Sequence, residues 1–87
     1  MAWKYIDDTT IEESIRPFLE RKIMEYVGVV EELLVKEVEE GLRKHLKPMQ
    51  LVEEMEAALD REDAMALIKK VWRMVVYFAE AERRGLN

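Results

Sequence analysis

The stretch from Ala64 to Arg84, AMALIKKVWRMVVYFAEAERR, limits the possible folds more than any other part of the chain. Its apolar residues Ala64, Leu67, Ile68, Val71, Trp72, Val75, Val76, Phe78 and Ala79 recur at steps of three and four. That period specifies an α-helix with one wide face turned inward. Lys69, Lys70, Arg73, Tyr77, Glu80 and Arg84 share the other side, so a polar stripe faces water. Between Ala64 and Ala79 there are three cations and no acid, in a chain whose net charge is -5. The local excess of positive charge is the first sign of function.

A helix with so broad an apolar face requires partners, and the rest of the chain supplies them with the same period. Pro17 to Val27 offers Phe18, Leu19, Ile23, Tyr26 and Val27 on one side, and Gly28 is a left-handed stop. Residues 29–46 place Val30, Leu33, Leu34, Val38, Leu42 and Leu46 inward. Their outer face is acidic, with Glu32 and Lys36, Glu39 and Arg43, and Glu40 and Lys44 each four apart. Gly41 falls inside that helix, where glycine costs about 1 kcal/mol against alanine, so a close helix crossing is expected there. Pro48 suits a first helical position, and Met49, Leu51, Val52, Met55, Ala58 and Leu59 make a third face. Asp60, with Asp63 three residues on, caps the organising helix, and Gly85 closes it.

The expected fold is therefore all-α: a single domain over 1–87, with four principal helices near 17–27, 29–46, 48–59 and 61–84. Residues 1–10 carry Trp3, Tyr5 and Ile6 and read as an ordered lead-in, with Asp8, Thr9 and Thr10 offering oxygens for an N-cap. Because proline disfavours helical geometry at the residue before it, a short turn should end near Ile15 and a new helix start at Pro17. Phe18, Tyr26, Leu34, Leu42, Leu59, Leu67, Val71, Trp72 and Val75 are the expected core. Met24, Met49, Met55, Met65 and Met74 are read as core filler. With 87 residues such a core buries roughly 60–65% of the unfolded chain's surface.

Several runs resemble one family. Ile15-Arg-Pro-Phe-Leu-Glu-Arg-Lys-Ile-Met-Glu-Tyr-Val-Gly28 resembles the signature of the PWI domain, a Pro-Trp-Ile tripeptide leading into KKIxEYIG; Pro17, Phe18 and Leu19 stand at the tripeptide. Lys70-Val-Trp-Arg73 followed by Val75, Val76 and Tyr77 resembles the family's KMWRLLIYE pattern, and Ala81 to Leu86 its EAKKIGL close. Leu51 to Leu59 looks like its third helix. The similarity runs from about Ile11 to Leu86, and is greatest to the type found at the C-terminus of splicing regulators that also carry an RNA-recognition motif and a long Arg/Glu-rich region. Neither accompaniment is present, so an excised domain or minimal relative is expected. The resemblance implies a four-helix PWI-type bundle, a nuclear location, and a role in pre-mRNA splicing through weak, sequence-nonspecific contacts to RNA or DNA phosphates. A basic segment beside the fold commonly assists.

Under that implication the candidate phosphate contacts are Lys69, Lys70 and Arg73, with Arg83 and Arg84 further along the same helix and Arg16, Arg21 and Lys22 on the first. Trp72 shares the inward stripe and is read as structural. The rival role is a protein-interaction module for splicing-factor partners, its acidic faces at 31–40 and 53–60 docking basic segments. Charge is divided accordingly: -2 over residues 1–28, -5 over 29–60 and +2 over 61–87.

Other classes find little support in the sequence. There is no Gly-rich phosphate loop and no nucleophile with a matching base, so an enzyme is not expected. The chain has no cysteine and one histidine, His45, which reads as a rim residue near a helix end; no metal or cofactor is expected. No apolar run approaches the roughly 18 residues of a membrane span, and MAWKYIDD lacks the order of a secretory signal. The chain is read as a soluble, intracellular monomer.

Overall fold

The computed structural model describes residues 3–85. A 3-10 turn (Trp3–Tyr5) leads to a single helical turn α1 (Asp8–Thr10) and a π-helical segment (Ile11–Ile15). The longer helices are α2 (Arg16–Val27), α3 (Glu32–Arg43), α4 (Pro48–Met55) and α5 (Arg61–Arg83). No strand occurs among the described residues, and the fold is the all-α bundle the periodicity specifies.

The start of the bundle departs from expectation in an instructive way. The helical path does not break before Pro17: Arg16 is helical, at φ -54° and ψ -48°, and its amide donates to the Ile11 carbonyl, five residues back. Widening the turn by one residue shifts the ladder just where proline removes a donor, so the first segment ends at Ile15 and α2 begins at Arg16 with Pro17 in its first turn, as expected within one residue, while the path between them stays helical. The consequence is a continuous stripe, Ile11, Ile15, Leu19 and Ile23, four apart and each at most 1% exposed. The N-cap is Asp7 rather than Asp8, Thr9 or Thr10, its Oδ1 accepting the Thr10 amide at 2.9 Å.

Gly28 ends α2 in the left-handed region at φ 91°, its amide donating to Met24 at 2.8 Å. α3 then starts at Glu32, later than expected, which leaves Val29 and Val30 exposed in the connection. It also ends early, at Arg43. Leu46 donates to the Gly41 carbonyl at 2.9 Å and His45 to Leu42 at 3.1 Å, a paired closure that puts His45 in the left-handed region at φ 61°. α4 stops at Met55, and Leu59 returns its amide to that carbonyl at 2.9 Å. Asp60 then caps α5 as expected, accepting from Asp63 at 2.8 Å.

One buried cluster joins all of these pieces. Leu34, Leu42, Leu59, Leu67, Val71 and Val75 lie in it as the periodicity requires, whereas Phe18, Tyr26 and Trp72 are half-buried against its edge. Gly41 is a place where α3 and α4 meet closely: a Cβ there would run into the Leu51 side chain, itself fully buried. The lead-in packs on the bundle, with Ile6 buried and Trp3 lying edge-on to Trp72 at 5.7 Å. Met1 and Ala2 lie outside the described residues.

Some inward assignments fail. Val27, Val30, Leu33, Ala58 and Val76 are exposed, Leu33 at 73%. For Val76 the reason is length: α5 has 23 residues and α4 only eight, so α5 outruns the helix that would cover that flank. Of the methionines, Met55 is buried and Met74 half-buried, while Met24, Met49 and Met65 are close to half exposed and do not fill the core.

Candidate nucleic-acid interface

Charged side chains on neighbouring helices sort the eight candidate cations into those already engaged and those not. Arg16 is engaged most firmly. Its Nε and Nη2 donate to the two carboxylate oxygens of Glu39 at 2.7 and 3.1 Å, a bidentate pair linking α2 to α3. Glu39 is only 1% exposed, contrary to its assignment to the outer face of α3. It stands four residues after Val35 and three before Leu42, both buried, so helical geometry turns it inward. The hydrogen bonds and charge of Glu39 hold the Arg16 guanidinium still further above its ordinary range. Arg43 extends the network, donating to Asp8 at 2.8 Å and Glu40 at 3.0 Å, with Glu39 and Glu12 each at 3.5 Å. The Glu32–Lys36 and Glu40–Lys44 pairs do not form among the described residues.

Two further candidates have carboxylate partners on their own helices. Lys22 bonds Glu25 at 3.1 Å and lies over the Phe18 ring at 5.6 Å. Arg83 bonds Glu80 in a fork with contacts of 2.8 Å; the Arg83 hydrogen bond lowers the Glu80 pKa, and the reciprocal bond raises that of Arg83. Neither is a free phosphate ligand in this arrangement.

Lys69, Lys70 and Arg73 differ. All three are exposed on α5 and none forms an ion pair among the described residues. Lys69 and Arg73 stand one turn apart, about 6 Å along the axis. Lys70 projects roughly 100° further round the helix, where its Nζ lies over the Tyr26 ring at 5.3 Å. Tyr77 follows on the same outer side and is 62% exposed. Arg21 and Arg84 also form no ion pair among the described residues, but Arg84, the residue that caps α5, is about 16 Å along the helix axis from Arg73.

The structure adds a feature that the sequence reading passed over. An open groove of about 770 Å³ runs between α4 and α5 beside Lys69 and Arg73. Val52, Ile68 and the half-buried Trp72 form its floor. Exposed Met49, Met65 and Val76 form its walls. The signal was present in the spacing: Met65, Trp72 and Val76 fall on one flank of α5, next to Lys69. His45 is exposed, and its ring stacks on Trp3 at 4.5 Å. No cluster of His, Cys, Asp or Glu suited to a metal ion occurs among the described residues. No described helix is long and apolar enough to cross a membrane.

The fold is a short all-α bundle whose last helix carries exposed cations beside a tryptophan; residues 13–83 match the PWI domain, and the chain belongs to that family. Among its relatives, RNA-binding protein 25 of Homo sapiens is 36% identical over 86 residues, 99% of this chain and 10% of that protein. RNA-binding motif protein 25 of Arabidopsis thaliana is 32% identical over 84 residues, 97% of this chain and 9% of that protein. The U1 snRNP-associated protein usp107 of Schizosaccharomyces pombe is 34% identical over 71 residues, 82% of this chain and 10% of that protein. The chain thus spans about a tenth of the length of the relatives it matches. No solved structure matches it.

Proposed function

We propose that this PWI domain serves a nuclear pre-mRNA splicing factor and contacts RNA or DNA phosphates through Lys69, Lys70 and Arg73. One observation carries the reading: these three cations of α5 are exposed without a carboxylate partner among the described residues, whereas Arg16, Lys22 and Arg83 are each bound to one. An unpaired exposed cation can approach a phosphate without first breaking a salt bridge. The names of the relatives, RNA-binding protein 25 and a U1 snRNP-associated protein, support the same assignment.

Three contacts give weak binding. With roughly 0.7–0.9 counterions released per phosphate, log affinity should fall against log salt with a slope of about -2 to -3. No set of side chains on this face suits base edges, so binding should be indifferent to sequence. The net charge of -5 opposes it further, and a basic segment flanking the domain would supply most of the affinity.

Fluorescence anisotropy with single-stranded and duplex oligonucleotides at two salt concentrations tests the proposal. Lys69→Glu combined with Arg73→Glu should abolish binding while leaving helix content and melting temperature nearly unchanged. Lys36→Glu with Lys44→Glu, on the acidic helix, should matter far less. Equal losses from the two pairs, or no wild-type binding at low salt, would remove this face from consideration.

A further inference from the structure

The groove between α4 and α5 has a chemistry that phosphate contacts do not use. Its floor and walls present aliphatic side chains, methionine and the Trp72 ring, and the only charges among its lining residues are Lys69 and Arg73, along one rim. Met49, Met65 and Val76 leave 43–45% of their surface in water although each adjoins the buried core. Apolar surface bordered by charge is a face on which a partner's side chains can be buried.

We propose that the groove receives an amphipathic acidic helix from a protein partner, with apolar anchors over Val52 and Trp72 and carboxylates along the Lys69–Arg73 rim. Three features select that occupant. Apolar walls accept side chains from one face of a helix at i, i+3, i+4 and i+7, and methionine adapts to their shape. Lys69 and Arg73 stand one helical turn apart, matching carboxylates at i and i+4 on a helix laid alongside. The surrounding molecule is acidic, -5 over residues 29–60, so the rim is where an acidic partner is attracted and a basic one is drawn elsewhere. A phosphate backbone would use the rim and leave the apolar floor uncovered. Lys69 and Arg73 therefore belong to both surfaces, and peptide and nucleic acid should exclude one another.

The test uses the domain labelled with 13C at the methionine methyls. The probe is a synthetic 15-residue helical peptide with Leu at i, i+3, i+4 and i+7 flanked by Glu; its control carries Lys in place of every Glu. The acidic peptide should shift the Met49 and Met65 methyls and the Trp72 indole, and bind at least tenfold more tightly than the basic control. Met49→Ser with Met65→Ser, both exposed and expected to leave helix content intact by circular dichroism, should weaken peptide binding at least tenfold. The same pair should leave oligonucleotide affinity unchanged, which separates this inference from the phosphate-binding reading. Equal affinity for the two peptides, or shifts confined to other methyls, would overturn it. So would loss of oligonucleotide binding in the methionine pair, which would give the groove to nucleic acid. Shifts of the same methyls on concentrating the domain alone would give it to a second copy.

Discussion

Replacing Gly41 by alanine sets two well-measured effects against each other, and the structure decides the sign. In the interior of α3 alanine is favoured over glycine by about 1 kcal/mol. The new methyl, however, would enter the space of the Leu51 side chain and come within 3.3 Å of Leu46 Cδ1. Leu51 belongs to α4 and is fully buried, so any shift of its side chain must be taken up by its core neighbours. Inserting a methyl into a packed site of this kind costs about 1–3 kcal/mol. Because the clash is with a buried side chain, the upper half of that range applies, and the net expectation is a loss of about 1–2 kcal/mol.

Urea unfolding followed by circular dichroism measures it. For a domain of this size, with a slope of about 1 kcal/mol/M, the midpoint should fall by about 1–2 M. Leu51→Ala alone should cost about 2–5 kcal/mol through the cavity it leaves. In the double variant the alanine methyl occupies part of that cavity, so the combined loss should be smaller than the two single losses added by at least about 1 kcal/mol. A Gly41→Ala variant more stable than the wild type, as propensity alone would have it, would refute the close approach of α3 and α4.

Three further outcomes are expected. Arg16→Ala should lower the urea midpoint more than Glu39→Ala, because it leaves a carboxylate that is 1% exposed with only the 3.5 Å contact to Arg43, whereas the reverse change frees a guanidinium that reaches water; the opposite order would show that the pair is not the anchor of α2 on α3. Trp72→Ala should destabilise by about 3 kcal/mol, the low end for emptying an aromatic site since Trp72 is half-buried, read as a drop in melting temperature. Asp7 is held below the usual carboxylate range chiefly by the Thr10 amide, and Glu80 by the Arg83 hydrogen bond. A carboxyl depressed in the folded state contributes stability that is present above its unfolded pKa and lost as pH falls through its folded one. Melting temperature should accordingly fall on acidification through and below the carboxylate range, and Asp7→Asn with Glu80→Gln should flatten that fall.

The parts of the fold that a single helix decides were legible in the chain. The Asp60 cap, the Gly28 stop and the stripe through Leu67, Val71 and Val75 depend on neighbours within four residues, and local periodicity contains that information. The unbroken helical path into Pro17 was not legible, because it uses a π-helical turn, with the Arg16 amide on the Ile11 carbonyl, that the local preferences of Arg16 and Pro17 do not display. Exposure of Val76 likewise depends on how far α4 extends beside α5, which spacing does not encode.

The candidate site divides along the same line. Spacing alone places eight cations on outer helix faces, and by that measure they are equivalent. They cease to be so when α3 brings Glu39 beneath Arg16, which converts a candidate phosphate ligand into a bond between helices. Lys22 and Arg83 are engaged within a single turn, by acids three residues away that the sequence does display. Lys69 and Arg73 stay open because no acid lies within four residues of either and no neighbouring helix brings one within reach, although the chain as a whole is acidic. The same vacancy in carboxylates that leaves them open to phosphate leaves the adjoining groove with an uncompensated positive rim. The proposed competition between the two ligands for Lys69 and Arg73 thus follows from where the acids are missing.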